Sequence, residues 1–320
     1  MMPSVNLNVV TVTLNPALDL TGNLDQLNVG SVSRVDNSSL HPAGKGVNVA
    51  KVLAQLGAKV TVTGILGRDN QEPFCQLFAD NNITDAFVRV EGASRINVKL
   101  VEPNGQVSDI NFPGMSVSES DRLAFEKQLF SLADSHDLFV IAGSLPRGVT
   151  PEHCAKWITE LNKRNKKVIF DSSKEALNAG IDAVPWLVKP NDEELADWAG
   201  KVITDRNELL AVAEQLALKG IPNVVVSLGA QGVLWLQDNK WLQSVPPKMK
   251  IVSTVGAGDT LVAAMCWGEL QQWDRTKTLR FATALSAQAV AQVGVGVEHL
   301  ETILNMTDLI EVSPVQIEGN

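Results

Sequence analysis

The chain has 320 residues, of which 45% are hydrophobic and 20% are charged. This is the composition of an ordinary globular protein, and it excludes a chain that is disordered over most of its length. The formal net charge of -9 argues against a nucleic-acid partner, because phosphate backbones are held by faces rich in Lys and Arg. A local basic pocket for a small phosphorylated ligand stays compatible with that charge.

Cysteine usage and hydropathy predict a cytoplasmic location with no membrane contact. The three cysteines, Cys75, Cys154 and Cys266, are far apart and odd in number, which indicates neither a disulfide framework nor a metal-binding pair. No basic segment precedes the apolar residues 9–14, and no run of about 18 apolar residues occurs. We therefore expect neither a signal peptide nor a transmembrane helix.

The chain begins with a strand, a helix and a second strand. Residues 9–14 are short and rich in β-branched side chains, which predicts a strand. Residues 47–56 carry apolar side chains at helical spacing and stop before Gly57, which predicts a helix. Residues 59–65 favour a further strand.

A β-hairpin is predicted next. Residues 95–101 and 106–112 flank Asn104 and Gly105, and Asn-Gly is the preferred pair for a tight turn. The two arms alternate apolar and polar residues, as expected of a sheet with one covered face.

From about residue 120 the chain alternates helices with continuous apolar strands at residues 138–142, 168–170, 186–188 and 224–226. Such runs are typical of strands buried on both faces, in a parallel sheet with helices on each side. We expect one α/β domain over residues 1–320, with a doubly wound, mostly parallel sheet and helices on both faces. A small β-sheet lid is expected from about residues 9–40 and 88–115.

Each of these four strands is followed by polar or glycine residues. They are Gly143-Ser144, Asp171-Ser172-Ser173, Lys189-Pro190-Asn191 and Ser227-Leu228-Gly229. Ligands of open α/β sheets bind at the carboxyl ends of the strands, so we expect an extended cleft there. The alternative is ordinary turn chemistry, because Ser, Asp and Gly also serve strand-to-helix turns.

A glycine-rich segment, Gly256-Ala257-Gly258, comes shortly before the helix-forming residues 261–265. The free N–H groups and the dipole of a helix start form an anion site, and glycine lets an oxygen-rich ligand approach the backbone. Asp259 then lies in the first turn, where a carboxylate beside a bound phosphate suits removal of a proton from an attacking hydroxyl. The alternative is that Asp259 is an acid near the cap of an ordinary helix.

Four further candidates carry weak signals on their own. Gly44-Lys45-Gly46 and Asn48 open a helix and could bind hydroxyl or negative groups, or could simply start that helix. Asp19 could bind a ligand or cap a turn. Arg95 could be a surface residue of its strand, although Arg suits bidentate contact with phosphate.

The common nucleotide-binding fingerprints are absent, which argues against a P-loop ATPase and a nicotinamide dehydrogenase. The pair Gly44-Lys45 is followed by Gly46 where a P-loop has Ser or Thr, and no GxGxxG follows a strand. None of the four histidines has metal-binding spacing to another His or Cys. Asn191 and Glu194 could organise Mg²⁺ through water, or could be the polar start of a helix.

These segments together resemble the ribokinase-like (PfkB-type) carbohydrate kinase family. Residues 44–50 and 254–259 match its two signatures, and residues 189–194 match its Asn-x-x-Glu element. The match is collinear over nearly the whole chain and is therefore more specific than any one motif. The resemblance implies a kinase that depends on ATP and Mg²⁺, with Asp259 as the general base.

Within this family the chain is similar to the phosphosugar branch, over residues 13–19, 94–100, 143–146, 171–177 and 185–191. The resemblance implies in-line transfer of a phosphoryl group from ATP to the 6-hydroxyl of fructose 1-phosphate, giving fructose 1,6-bisphosphate. Tagatose 6-phosphate and fructose 6-phosphate stay open as alternative substrates. A catalytically inactive regulator that binds sugar phosphates also stays open.

The resemblance further implies a role for each matching residue. The sugar would be held by Asp19, Gly44, Lys45, Gly46 and Asn48, and its phosphate or the adjoining hydroxyls by Arg95 and Ser144. The nucleotide would be bound by Lys189, Asn191, Ser227, Gly229, Gly232 and Thr254, and the anion hole would be formed by Gly256, Ala257 and Gly258. Asn191 and Glu194 would hold Mg²⁺ through water. The lid would serve as a homodimer interface, and Ser253, where many members have Asp, puts monovalent-cation binding in doubt.

Overall fold

The structure, a computed structural model, describes residues 7–315. Over these residues it has two β-sheets, and the larger one contains eleven strands. Its strands, numbered along the chain with those of the small sheet, are β1 (Asn8–Thr13), β4 (Lys59–Gly67), β5 (Thr84–Asp85), β6 (Val88–Val90), β9 (Leu138–Ala142), β10 (Lys167–Asp171), β11 (Leu187–Val188), β12 (Asn223–Ser227), β13 (Val233–Gln237), β14 (Lys240–Ser244) and β15 (Val312–Pro314). The order is β15-β14-β13-β12-β11-β10-β9-β1-β4-β5, and β6 also pairs with β4. Strands from β5 to β12 pair in parallel, whereas β13, β14 and β15 extend the sheet in antiparallel fashion.

The same stretch contains ten α-helices, which accompany the large sheet. They are α1 (Lys45–Gln55), α2 (Glu72–Asp80), α3 (Glu119–Leu132), α4 (Pro151–Lys163), α5 (Lys174–Asp182), α6 (Asp192–Ala199), α7 (Arg206–Leu218), α8 (Ala257–Leu270), α9 (Arg275–Ala289) and α10 (Leu300–Leu309). None of these helices within residues 7–315 has the length and apolar character needed to cross a membrane.

The central strands of the large sheet are buried on both faces. Along β9, Leu138 and Val140 belong to the core that includes α1, α8 and α9. Phe139 and Ile141, which alternate with them, belong to the core that includes α3, α4 and α7. This alternation between two apolar layers explains why the strand is a continuous apolar run. The predicted doubly wound, mostly parallel sheet with helices on both faces is therefore confirmed.

The small sheet contains the predicted hairpin. Its order is β3-β2-β7-β8, and its strands are β2 (Ala17–Asn23), β3 (Asn37–Ala43), β7 (Arg95–Val101) and β8 (Val107–Asn111). β7 and β8 pair in antiparallel fashion. Gly105 in the turn between them has a φ of 85°, which glycine adopts without strain.

The predicted limits of the lid, residues 9–40 and 88–115, were wrong at two strands. β1 lies between β4 and β9 in the large sheet, and Val88–Val90 pairs with β4. Val9 and Val10 in β1 are both 0% exposed, because β1 faces an apolar layer on each side. The small sheet therefore spans residues 17–43 and 95–111.

The two faces of the small sheet differ in polarity. The register aligns Leu40 with Leu20, Leu20 with Val98, and Val98 with Ile110, which makes an apolar row across one face. Leu40 and Ile110 in this row are 44% and 46% exposed. The register places polar side chains on the opposite face, among them Asp19, Arg95, Asn97 and Lys99.

Candidate active site

The candidate site lies where the parallel strands β9 to β12 end. Asp171 is the last residue of β10, and Lys189 and Asn191 follow β11 closely. The Gly143 amide donates to the Asp171 carbonyl at 2.9 Å, and Ser227 pairs with Asn191 through a short parallel bridge. Polar residues that are distant in sequence therefore meet at one edge of the sheet.

The glycine-rich segment forms the start of α8. Gly256 precedes the first turn and has a φ of 80°, a left-handed conformation that favours glycine. A Cβ on Gly258 would have Lys189 Nζ, at 3.7 Å, as its nearest neighbour outside the helix. The space in front of the first turn is thus open and faces an ammonium group. Free N–H groups at a helix start and a nearby cation together suit a bound anion.

Asp259 lies in the first turn of α8 and is only 7% exposed. Asn48 on α1 donates a hydrogen bond from Nδ2 to Asp259 Oδ2 at 2.7 Å. Burial, and then the negative charge of Asp171, raise the pKa of Asp259 to about 6, while Lys45, Asn48 and Lys189 act in the opposite direction. A carboxylate with this pKa is ionised at neutral pH and can still accept a proton, which is what a general base requires.

Asp171 pairs with two lysines beneath this site. Lys45 Nζ lies 3.1 Å from Asp171 Oδ2, and Lys189 Nζ lies 3.3 Å from Asp171 Oδ1. Burial would raise the pKa of Asp171, but the charges of Lys189 and Lys45 outweigh it and hold that pKa below its usual range. Burial also opposes the charged form of Lys45, but Asp171, Asp259 and Glu194 raise its pKa. Lys45 therefore stays positively charged.

The polar face of the small sheet presents a second charged group. Asp19 accepts hydrogen bonds from Asn97 Nδ2 at 3.0 Å and from Lys99 Nζ at 2.6 Å. Arg95 Nε is buried and has no hydrogen-bond partner among the described residues. Burial lowers the pKa of Arg95 and the charge of Asp19 opposes this shift.

Ser144, the other residue predicted to contact the sugar phosphate, follows β9 of the large sheet. Its Oγ accepts a hydrogen bond from Asn15 Nδ2 at 3.1 Å.

The residues predicted to line the nucleotide site differ in what the structure shows for them. Gly232 has a φ of 98°, and a Cβ there would stand 1.9 Å from the Ser244 carbonyl oxygen. A tight backbone approach therefore explains this glycine. Gly229 is exposed after β12, and Thr254 is exposed directly before the turn that starts α8.

Asn191 and Glu194 form a helix cap. Asn191 Oδ1 accepts from the Glu194 amide at 2.7 Å, and Glu194 Oε2 accepts from the Asn191 amide at 3.0 Å. Within residues 7–315 no group of three or more His, Cys, Asp or Glu side chains could hold a metal ion. This sparse set of oxygens fits Mg²⁺ only as an ion that keeps most of its water and takes further ligands from a bound phosphate.

The sequence profile described as "pfkB family carbohydrate kinase" matches residues 7–303. The chain belongs to the pfkB family of carbohydrate kinases. The curated 1-phosphofructokinase of Vibrio cholerae serotype O1 is 62% identical over 305 residues, which is 95% of this chain and 96% of that protein.

Two solved structures of a pfkB-like enzyme are similar to the chain over nearly its whole length. Phosphofructokinase-2 from Escherichia coli in complex with potassium has a TM-score of 0.88 at 31% identity, covering 94% of this chain and 98% of that one. The tetrameric inhibited form of the same enzyme has a TM-score of 0.86 at 30% identity, with the same coverage of 94% and 98%.

Two charged residues of this pfkB-family site were missed by sequence reasoning. Asp171 was recognised only as part of a polar strand end, and Lys99 only as part of a matching segment. A signal for Asp171 existed, because it is an acid that directly follows the apolar residues 168–170 of its strand. Lys99 gave no comparable signal, because its partner Asp19 lies 80 residues away in the chain.

Proposed function

We propose that this protein transfers the γ-phosphoryl group of ATP to the 6-hydroxyl of fructose 1-phosphate, giving fructose 1,6-bisphosphate and ADP. The observation that carries the proposal is the buried Asp259 in the first turn of α8, beside an open glycine turn that faces Lys189. The 62% identity to a protein named 1-phosphofructokinase supports the choice of sugar.

The mechanism consists mostly of positioning and charge stabilisation, as is usual for phosphoryl transfer. We assign Asp259 Oδ1 to the attacking 6-hydroxyl, because Asn48 occupies Oδ2. As the new O–P bond forms, the hydroxyl proton passes to Asp259 and ADP leaves with the electrons of the broken bond. The amides at the start of α8 and the ammonium of Lys189 offset the charge on the migrating group.

ATP and Mg²⁺ are the cofactors that we propose for this site. Mg²⁺ bound with ATP neutralises charge on the phosphate oxygens. Glu194 Oε1 is the carboxylate oxygen left for it through water, because Oε2 belongs to the helix cap. We assign Ser227, Gly229 and Thr254 to the nucleotide, since they lie at the cleft edge near Asn191 or near the start of α8.

A substrate panel tests the proposed function. ADP release is measured at fixed ATP and Mg²⁺ with fructose 1-phosphate, fructose 6-phosphate and tagatose 6-phosphate. We expect the highest kcat/KM with fructose 1-phosphate. A higher value with either 6-phosphate would replace the proposed substrate, and no turnover with any of them would favour the inactive, sugar-phosphate-binding regulator.

Arg95→Ala is expected to raise the KM for fructose 1-phosphate by roughly 10- to 100-fold, the range for losing a hydrogen bond to a charged group. Its buried Nε has no protein partner among the described residues, so we assign this guanidinium to the sugar phosphate. The KM for ATP is expected to stay unchanged, because Arg95 lies on the small sheet. Initial rates over both substrates check this, with the exposed Arg68→Ala as the control. An unaltered KM for the sugar would remove Arg95 from the phosphate site.

We also propose a homodimer formed through the small sheet. The apolar row of Leu20, Leu40, Val98 and Ile110 is partly open to solvent in the single chain, and an exposed apolar sheet face is a typical contact surface. The tetrameric form described for the Escherichia coli enzyme supports self-association in this family.

Changing both Leu40 and Ile110 to Ser is expected to convert the dimer to a monomer, because the two most exposed side chains of the apolar row become polar. Sedimentation velocity measures this. The control is Leu218→Ser, which changes an 85% exposed leucine at the end of α7. A native protein that sediments as a monomer, or a double variant that stays dimeric, would contradict the proposed interface.

We place the reaction in the cytoplasm. Cys75, Cys154 and Cys266 are all free thiols, which fits a reducing compartment. Burial raises the pKa of the Cys154 thiol to about 12, so this cysteine is unreactive and has a packing role.

A further inference from the structure

Asp171 and Lys189 form a buried ion pair beneath Asp259, and Lys45, whose side chain is 37% exposed, adds a second lysine to it. The side chains of Asp171 and Lys189 are only 1% and 5% exposed, and lysine is almost never buried unless it is paired. Desolvating such charges often costs as much as their attraction returns, and apolar residues of similar volume can do as well or better. A contribution to the folding stability of the protein therefore does not by itself explain these buried charges.

The two lysines come from different elements around the reaction site. Lys189 comes from the end of β11 and lies 3.7 Å from the Cβ position of Gly258, at the anion-binding start of α8. Lys45 begins α1, the helix whose Asn48 contacts Asp259. One lysine thus belongs to the side where the phosphoryl donor sits, and the other belongs to the side where the acceptor sits.

We propose that Asp171 is a positioning residue, whose single carboxylate holds the ammonium groups of Lys45 and Lys189 together on the two sides of the point of phosphoryl transfer. This inference rests on the proposed kinase function. Each carboxylate oxygen takes one lysine, Oδ2 for Lys45 and Oδ1 for Lys189. Asp171 is well suited to this task, because its backbone pairs with Ala142 of β9 and accepts a hydrogen bond from the Gly143 amide.

The same carboxylate acts on the general base. The charged groups around Asp259 are Asp171 from β10, Lys45 from α1 and Lys189 from β11, and Asn48 adds a neutral donor. Of these, Asp171 is the one whose charge raises the pKa of Asp259, in addition to burial. Removing it leaves two positive charges that stabilise the ionised base, so the acid limb of the activity profile should move to lower pH.

The test is a double-mutant cycle with Asp171→Asn, Lys189→Met and the double variant. Asp171→Asn is expected to lower kcat about 100-fold, the loss that a misplacement near 1 Å produces. The KM for the sugar phosphate should change much less than kcat. If Asp171 acts in part through Lys189, the loss of kcat in the double variant is smaller than the product of the two single losses, and the loss that remains beyond Lys189→Met is the part that acts through Lys45. The acid limb of kcat/KM should also shift from about 6 to lower pH in Asp171→Asn.

Two outcomes would overturn the inference. One is a double variant in which the two losses multiply, and the other is an Asp171→Asn protein that is merely less stable, with native kcat and an unmoved pH profile. Where Asp171→Asn alone does not fold, the double variant removes both members of the buried pair, and its kcat is compared with that of Lys189→Met. A further loss of about 100-fold beyond Lys189→Met would then overturn the inference. Asp182→Asn, which removes an exposed partner of Lys219, is the control for losing an acidic residue.

Binding of ADP with Mg²⁺ by calorimetry separates this inference from the proposed function. In this cycle Lys189→Met and Asp171→Asn are each expected to weaken ADP binding, and the double variant should bind no more weakly than Lys189→Met. Independent losses would overturn the positioning role even in a protein that turns over sugar phosphates. Absence of sugar turnover in the native protein would overturn the proposed function and leave the result of the binding cycle standing.

Discussion

Asp259→Asn is expected to lower kcat by roughly 10²- to 10⁴-fold, the usual range for losing a general base. Asparagine has nearly the same shape and can still meet Asn48, but it cannot accept the proton of the sugar hydroxyl. The affinity for ATP should change little, because the amides of α8 and Lys189 are untouched. Steady-state rates with fructose 1-phosphate measure the loss of kcat, and calorimetry measures the affinity for the nucleotide.

The matched control is Asp274→Asn, which changes the capping aspartate of the neighbouring helix α9. We expect native kcat from it, since a cap affects stability and not chemistry. Native protein should lose kcat/KM as the pH falls through about 6, because Asp259 then becomes protonated. A nearly normal kcat in Asp259→Asn would show that this carboxylate is not the base.

Gly46→Ala is expected to lower kcat/KM about 100-fold, the loss typical of a misplacement near 1 Å in an active site. A Cβ on Gly46 would stand 2.4 Å from Thr13 Oγ1 and 2.5 Å from the Val12 carbonyl oxygen. Ordinary contact begins at 3.4 Å, so α1 would have to retreat from β1. Lys45 and Asn48, on the first turn of α1, would retreat with it.

Gly57→Ala at the other end of α1 is the control. It has a φ of 98° and open space around the added methyl group, so its cost is about 1–2 kcal/mol of backbone strain. We expect it to lower the melting temperature and to leave kcat/KM unchanged. Native kcat/KM in Gly46→Ala, measured on folded protein, would show that α1 does not need this close approach to position the site.

Strands of the large sheet could be predicted from the chain because their signal is local. Residues 138–142 were predicted as a strand and form β9 with the same limits. The first strand was recognised as well, but it was assigned to the wrong sheet. A run of apolar residues shows that a strand is buried and does not show which strands lie beside it. The pairing of β1 with β4 and β9 arises only when distant segments come together.

In the candidate site, too, the local features could be predicted from the sequence and the long-range contacts could not. The glycine turn, the helix that follows it and the acid in its first turn are neighbours in the chain, so their spacing alone predicted an anion site with Asp259 beside it. The ion group of Lys45, Asp171 and Lys189 joins three separate elements, and Lys45 is 126 residues away from Asp171. A local sequence pattern cannot predict contacts between side chains that are so far apart in the chain.

Residue order therefore sufficed for the α/β class, the polar strand ends and the glycine turn before a helix, because helix starts and apolar periodicity depend on neighbours along the chain. Folding in three dimensions decided which charges face one another and how deeply they are buried. Desolvation and Coulomb interactions depend on distance in space, and they raise the pKa values of Asp259 and Lys45 and lower that of Asp171.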